Sequence, residues 1–487
     1  MKDKFLPRTW KRRDLTGGLA ALLGSLAVGA KAQARSATRS SAQDQALESQ
    51  GLTGYSRYQP SFGGPPDHPY YMGKLMPGLR PSGQAPVLMQ MPDVGDVPWK
   101  MVGGVKQFEL NVEPVTREFL PGFPMSLWGF NGSVPGPSIQ CTQGDRVRIL
   151  VHNKLPEVTT IHWHGLDVPN RYDGIPGLTQ PPIQPGETFV YEFDINQTGT
   201  FFYHPHTTMP EAFGMVGYFI VHPKVEYDPP VDRDFGLIFQ NFHISENTNI
   251  PDSWSMDFNW HTINGRSGPF TTPLVCKHGE RVRVRILDFS PIQHHPIHMH
   301  GHSFWITGTE GGRLPQSSWV LTNNQLIGVA QARVFEFIAN NPGDWMLHCH
   351  MVHHMMNHMV QQVGPRIRSG ATVDEYLEQV DQRPAVNLAQ HSENPRFQTP
   401  GYPQLMRNMY MSKEAMMRIH GRQEVRGMQT NWHEAVKGLM TVMRVLPEDV
   451  YNQVMLSSGP IQPGLSVPQS FDPQGGPPLG QDPHRLS

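Results

Sequence analysis

The chain repeats itself. Phe130-Asn131-Gly132, Gly144-Asp145-Arg146-Val147-Arg148 and Ile161-His162-Trp163-His164-Gly165 return as Ile263-Asn264-Gly265, Gly279-Glu280-Arg281-Val282-Arg283 and Ile297-His298-Met299-His300-Gly301. The interval is 133 residues from Asn131 to Asn264 and 136 from His162 to His298. A third echo sets Tyr203-His204-Pro205-His206 against Leu347-His348-Cys349-His350, 144 residues on from His204 to His348. Two copies of one unit share one fold. In each copy apolar and polar residues alternate in short runs, Arg146 to Val151 and Arg281 to Ile286, bounded by Gly, Asn and Pro. That is the pattern of half-buried strands in a sandwich. The 47 glycines and 46 prolines also suit short strands joined by turns better than long helices. An all-β chain with two tandem β-sandwich domains, 101–225 and 232–365, is therefore expected.

The flanks read differently. Lys11-Arg12-Arg13-Asp14-Leu15 precedes a weakly apolar run from Gly17 to Ala30 and small-residue cleavage sites at Ala30-Lys31-Ala32 and Ala32-Gln33-Ala34. Residues 1–34 thus look like an export signal of the twin-arginine type, and the rest of the protein is expected outside the cytoplasm, periplasmic or extracellular. The run is too short for a membrane span, and no other stretch of about 18 apolar residues occurs. Residues 35–100 read as a Pro/Gly-rich linker or wrapping arm, 366–458 as a Met-rich, partly helical extension and 459–487 as a disordered tail. A formal net charge of −2 leaves no electrostatic footprint for nucleic acid or an anionic membrane.

Four histidine pairs stand at His-any-His spacing: His162/His164, His204/His206, His298/His300 and His348/His350. On a strand, residues two apart share a face, so each pair offers two imidazoles to one location. Imidazole binds Zn, Cu, Fe and Ni alike, and the pairs alone do not name the metal. Cys349 does. It points opposite to His348 and His350, and with His354 and the thioether of Met359 it supplies three of the ligands of a blue-copper site, which takes two His, one Cys and a weak axial Met. For the missing imidazole, His295 is favoured over neighbouring His294 because its loop also carries His298 and His300. Cys141 and Cys276, inside strand-like runs, read as small buried hydrophobes, three cysteines being too few for a disulfide framework. His152, His222, His243, His302 and His420 read as ordinary surface or hydrogen-bonded histidines.

These motifs, His162-Trp163-His164-Gly165, His204-Pro205-His206, His295-Pro296-Ile297-His298-Met299-His300 and His348-Cys349-His350 with His354 and Met359, resemble those of the two-domain multicopper oxidases, the small laccases and their relatives. The resemblance spans about 106–365. It implies two cupredoxin-like Greek-key domains and four coppers per functional unit. By it His295, Cys349, His354 and Met359 hold type 1 copper, His162 and His298 type 2, and His164, His204, His206, His300, His348 and His350 the type 3 pair. It implies one-electron oxidation of a small reducing substrate, transfer through Cys349 to His348 and His350, and reduction of O2 to water. Asp173, in Tyr172-Asp173-Gly174, matches an acid that family members place near the cluster for proton delivery, and it equally fits an Asp-Gly turn. Relatives with one type 1 copper per subunit build the cluster between subunits, which implies a homotrimer. Two departures stand out. His358 precedes Met359 where Gly is usual, and His353 stands where some bacterial relatives carry a proton-relaying glutamate.

Two rival functions use the same residues. A copper nitrite reductase would carry the blue-site cysteine in domain one, where this chain has Pro205. A copper-storage or delivery protein would suit the 25 methionines but has no need of Cys349. Met346, Met351, Met355 and Met356 flank the blue-site loop; Met406, Met409, Met411, Met416, Met417, Met428, Met440 and Met443 follow it. They are open to two readings, soft ligands for Cu(I) or fillers around an added helix. Gly438 to Val445 is likewise open between helix and a late strand returning to domain two.

Overall fold

The structure, a computed structural model, describes residues 78–461 apart from 246–247, 254, 257, 356–412, 430–431 and 460. The expected signal, most of the arm, Met359, His358 and the tail beyond 461 lie outside the described residues.

Both repeats are two-sheet sandwiches of the same plan. In the first, Val105–Leu120 runs parallel to Arg146–Asn153, which pairs antiparallel with Thr188–Asp194. In the second, Arg233–Phe242 runs parallel to Arg281–Asp288, which pairs antiparallel with Gln331–Ile338. The recurrent Asn-Gly motif ties each parallel pair to its neighbour. Asn131 (φ 48°) accepts from the Asn111 N–H at 2.7 Å and donates to the Glu109 carbonyl. Asn264 (φ 53°) does the same for the Ile238 N–H, at 2.7 Å, and the Gly236 carbonyl. A short amide tolerates left-handed backbone while its side chain satisfies two strand groups, so Asn recurs here.

The facing sheet carries the histidines. Its order in domain one is Gly136–Thr142, Gly217–His222, Gly199–His204, His162–His164. In domain two the order is Leu274–Lys277, Met440–Leu446, Gly343–Cys349, His295–Met299 and Asn324–Ile327. Met440–Leu446 runs parallel to Leu274–Lys277 and antiparallel to Gly343–Cys349, as Gly217–His222 does to its two neighbours. The stretch Gly438 to Val445 thus supplies a strand, the counterpart of Gly217–His222. The connection before it is the difference between the domains: residues 205–216 in the first, residues 350–439 in the second. The extension up to residue 439 is an insertion within domain two, whose closing strand, Met440–Leu446, comes from beyond 365.

Each sandwich has its own core, around Phe108, Trp163 and Phe219 in the first and Leu237, Phe335 and Met443 in the second. A third cluster joins Phe119 and Leu127 to Phe242 and Trp260, and the extension's Ile419, Val425 and Trp432 pack on it. Lys413–His420 and Glu448–Leu456 are the α-helices among the extension's described residues. The arm contributes Met89 and Met91, buried between Tyr218 and Ile238.

Two strand expectations diverge. Arg146–Asn153 alternates buried and more exposed positions as a half-buried strand does. Arg281–Asp288 is buried at every position. Its polar face carries Arg281, Arg283 and Arg285, which pair with Glu336, Asp234 and Glu226, and the Arg285 Nη1 donates to Thr200 Oγ1 of domain one at 2.6 Å. Burial is tolerated there because every charge has a partner.

Candidate metal centres

Register assembles the site. His162 stands opposite His204, and His298 opposite His348. Adjacent antiparallel strands hold opposed side chains about 5 Å apart, which brings two pairs into one quartet per domain. Ring centroids in the first quartet lie 5.4 Å apart for His162–His204 and 5.7 Å for His162–His206. In the second they lie 4.8 Å apart for His298–His300 and 5.6 Å for His298–His350. His164 Nδ1 faces His204 Nε2 at 3.4 Å, and His300 Nε2 faces His348 Nε2 at 3.1 Å. Each first pair ends in a glycine with positive φ, +86° at Gly165 and +70° at Gly301. A Cβ on Gly301 would come within 2.4 Å of the Trp345 ring, so the chain turns there only without a side chain.

Main-chain carbonyls set the imidazoles, again in duplicate. Nδ1 of His162 donates to the Asp173 carbonyl at 2.7 Å, and Nδ1 of His298 to the Asn323 carbonyl at 2.6 Å. His204 and His348 each donate Nδ1–H to the carbonyl of the following residue, Pro205 at 2.8 Å and Cys349 at 2.7 Å. With Nδ1 protonated and occupied, Nε2 keeps its lone pair for a metal. Burial, then the neighbouring imidazole of His204, pushes His164 down to about 4; burial also takes His348 to about 4, against the Cys349 carbonyl. These rings are therefore neutral near pH 7. The Asp173 carboxylate lies 3.4 Å from His162 Nδ1, whereas in domain two the residue whose carbonyl holds His298 is the neutral Asn323. Sequence reasoning missed Glu211, whose Oε1 is 3.3 Å from His204 Nδ1.

Cys349 opens the other face. With Ile297 and Leu347 it points into the domain-two core, while His348 points out to the quartet. His295 Nδ1, His354 Nδ1 and Cys349 Sγ form a triangle with sides of 3.1, 3.4 and 3.5 Å. Two nitrogens at about 2.0 Å and a sulfur at about 2.3 Å from one ion in a trigonal plane stand about 3.5–3.7 Å apart, so the triangle needs to open by only about 0.2–0.4 Å to seat a copper. All three residues are completely buried. Burial pushes the thiol up to about 12 and His354 down to about 3, so metal entry must displace the thiol proton. The fourth expected ligand, Met359, lies outside the described residues.

The outer supports of this trio were not legible. Ser290 Oγ meets His295 Nε2 at 2.8 Å, and the Ser290 N–H donates to Asp288. Leu439, at the head of the closing strand, accepts from the Cys349 N–H at 3.0 Å and donates to the His354 carbonyl at 2.9 Å. His261, fully buried, lies 4.7 Å from the His354 ring. No spacing rule connects these residues to Cys349, since sheet pairing and core packing bring them there. The remaining isolated histidines include packing residues such as His222, bonded to Gln140, and His152, bonded to Thr188.

Two family models, both of multicopper oxidases, match residues 111–226 and 240–367, between them half of the chain. The chain belongs to the multicopper oxidase family. These domains imply copper as the metal of the donor sets. Laccase-1 of Fomitopsis schrenkii is 32% identical over 246 residues, 46% of this chain and 44% of that protein. Copper resistance protein A of Escherichia coli is 36% identical over 136 residues, 28% of this chain and 22% of its own. The chain thus spans less than half the length of these curated relatives. A blue copper oxidase from Nitrosomonas europaea, of known structure, is similar at 31% identity with a TM-score of 0.47, over 52% of this chain and 81% of that one.

Proposed function

We propose that this multicopper oxidase is laccase-like, withdrawing single electrons from a small reducing substrate and passing them to O2, which becomes water. One observation carries the reading: His348 and Cys349 are neighbours in the chain yet serve donor sets on opposite faces of one strand. Copper, when bound, supplies one-electron exchange at the Cys349 set and the four-electron reduction of O2 at the histidine sets. The chain does the rest. Cys349, His295 and His354 form a buried trigonal donor set whose geometry suits both oxidation states of copper, and the backbone from Cys349 to His348 and His350 joins that set to the second quartet. Asp173, beside His162 and partly exposed, is placed to hold and deliver protons. His162 and His298 in this reading hold the type 2 ion, and the other six imidazoles the type 3 pair.

Among the described residues no hydrogen bond or ring contact joins one quartet to the other, and His206, His300 and His350 are exposed. This supports a homotrimer in which the first quartet of one copy meets the second quartet of the next. No helix among the described residues is long and apolar enough to cross a membrane; with the twin-arginine segment, this supports an exported protein. The substrate class is phenols, aromatic amines or Cu(I).

Cys349→Ser tests the reading. The expected variant lacks the blue absorption and oxygen uptake while keeping the copper of the histidine sets. Unchanged oxygen uptake would refute the mechanism, and a copper-storage role would show as the absence of turnover in the wild type.

A further inference from the structure

A third pair of facing imidazoles lies outside these centres. His420 ends the helix Lys413–His420, and its Nε2 stands 3.0 Å from Nδ1 of His433, with ring centroids 4.7 Å apart and planes at 84°. This is the separation of the ligating nitrogens elsewhere in the chain: 3.1 Å for His295–His354 and 3.1 Å for His300–His348. Two imidazole nitrogens at about 2.0 Å on opposite sides of one ion stand about 4 Å apart, so opening the pair by about 1 Å admits an ion between them.

The surroundings select the ion. Trp432 is buried and makes T-shaped contacts with both rings, 5.9 Å from His420 and 6.3 Å from His433, so an aromatic ring walls the inner side of the pair. Met416 lies four residues before His420, on the same helical face, and packs on the hydrophobic cluster that contains Trp432. Two imidazoles, a thioether and an aromatic wall make a soft, low-coordinate environment, which selects Cu(I) over Zn(II) or Ca(II). Arg422, two residues beyond His420 and bonded to the carbonyls of Pro269 and Phe270, opposes a dication more than a monocation, while the charge of Arg418 is taken up by Glu118.

We propose that His420, His433 and the Met416 thioether form an additional Cu(I) site on the extension, distinct from the oxidase centres. It lies on the insertion that leads into the closing strand, and Leu439 of that insertion bonds both Cys349 and His354. The assignment does not depend on turnover.

The test is an anaerobic Cu(I) titration of the full-length, copper-loaded protein against a chromophoric Cu(I) chelator. Wild type is expected to hold one more equivalent than His420→Ala or His433→Ala, and Met416→Leu to hold it at least tenfold more weakly. His433→Asn keeps a hydrogen-bonding partner for His420 and is expected to lose the equivalent all the same. Cu(I) should also quench a component of tryptophan fluorescence that is absent in Trp432→Phe. Thermal midpoints identify any variant that fails to fold, and His433→Asn is then the deciding one. An unchanged equivalent count in His433→Asn, or a quench unaffected by Trp432→Phe, overturns the site and leaves the pair a hydrogen bond between rings.

Discussion

If the first quartet of one copy meets the second quartet of its neighbour, two inactive proteins can repair each other. His162→Ala with His164→Ala removes two of the four ring donors of the first quartet and leaves the second intact; His298→Ala with His300→Ala does the reverse. Each protein alone has no complete cluster, whatever its assembly. In a ring of three, each junction takes the first quartet from one copy and the second from the next. A mixed ring holds either two copies of one variant and one of the other or the converse, and going round it only one junction in three joins two intact quartets. Co-expression with different affinity tags, followed by purification through both, isolates mixed rings. Oxygen uptake per ring should then recover to about one third of wild type. Each parent, purified and mixed without exchange of subunits, should remain at background. The side chains removed are half-buried or exposed and lie outside the two hydrophobic cores, so both variants should fold. Uptake at background in doubly purified rings with normal blue absorption would refute the shared cluster.

Three further outcomes follow from the surroundings of the sites. Glu336 is fully buried and faces Arg281, Arg283 and Arg313; burial alone would raise its pKa, but Arg313 first, then the other two, hold it well below the ordinary range. Glu336→Gln leaves three guanidiniums short of an anion and should cost about 3–5 kcal/mol in urea unfolding of the copper-free protein; a loss under about 1 kcal/mol would show that the network does not depend on this charge. Ser290→Ala removes the partner of His295 Nε2 and should weaken copper binding at the Cys349 set by about 10–100-fold in chelator competition while the histidine sets keep theirs; equal affinity would mean that Ser290 does not orient the ring. Burial holds His222 and His302 down to about 4. Above pH 6.5 both are neutral folded or unfolded and contribute nothing to pH dependence. Below it the unfolded chain takes up protons that the fold refuses, so stability of the copper-free protein should fall toward pH 4 by up to about 1.4 kcal/mol per group per pH unit. His222→Gln should flatten that slope by one group, and an unchanged slope would place its folded pKa near the ordinary value.

What was legible in the chain is what is repeated and local. Asn131 and Asn264 recur because one turn in each sandwich requires left-handed backbone and two side-chain bonds, and the His-any-His pairs recur because alternate residues of a strand share a face. Those two requirements set the all-β class and both quartets. The exceptions arise where a partner comes from far along the chain. Arg281, Arg283 and Arg285 occupy the polar side of an alternating run and so read as solvent-facing, yet Glu336, Asp234 and Glu226 meet them there and both faces are buried. Leu439 reads as an ordinary apolar residue, yet through sheet pairing its backbone bonds Cys349 and His354 across the long insertion. The same insertion explains why the strand after Cys349 is so remote: Gly217–His222 and Met440–Leu446 hold equivalent places, and the sheet closes with whichever segment satisfies the edges of Leu274–Lys277 and Gly343–Cys349, not with the next in sequence. A repeat is symmetric, and so it leaves open how its two halves meet; Cys349 opposite Pro205 breaks that symmetry. That one substitution gives the second copy a buried sulfur donor behind its quartet, which the first copy lacks.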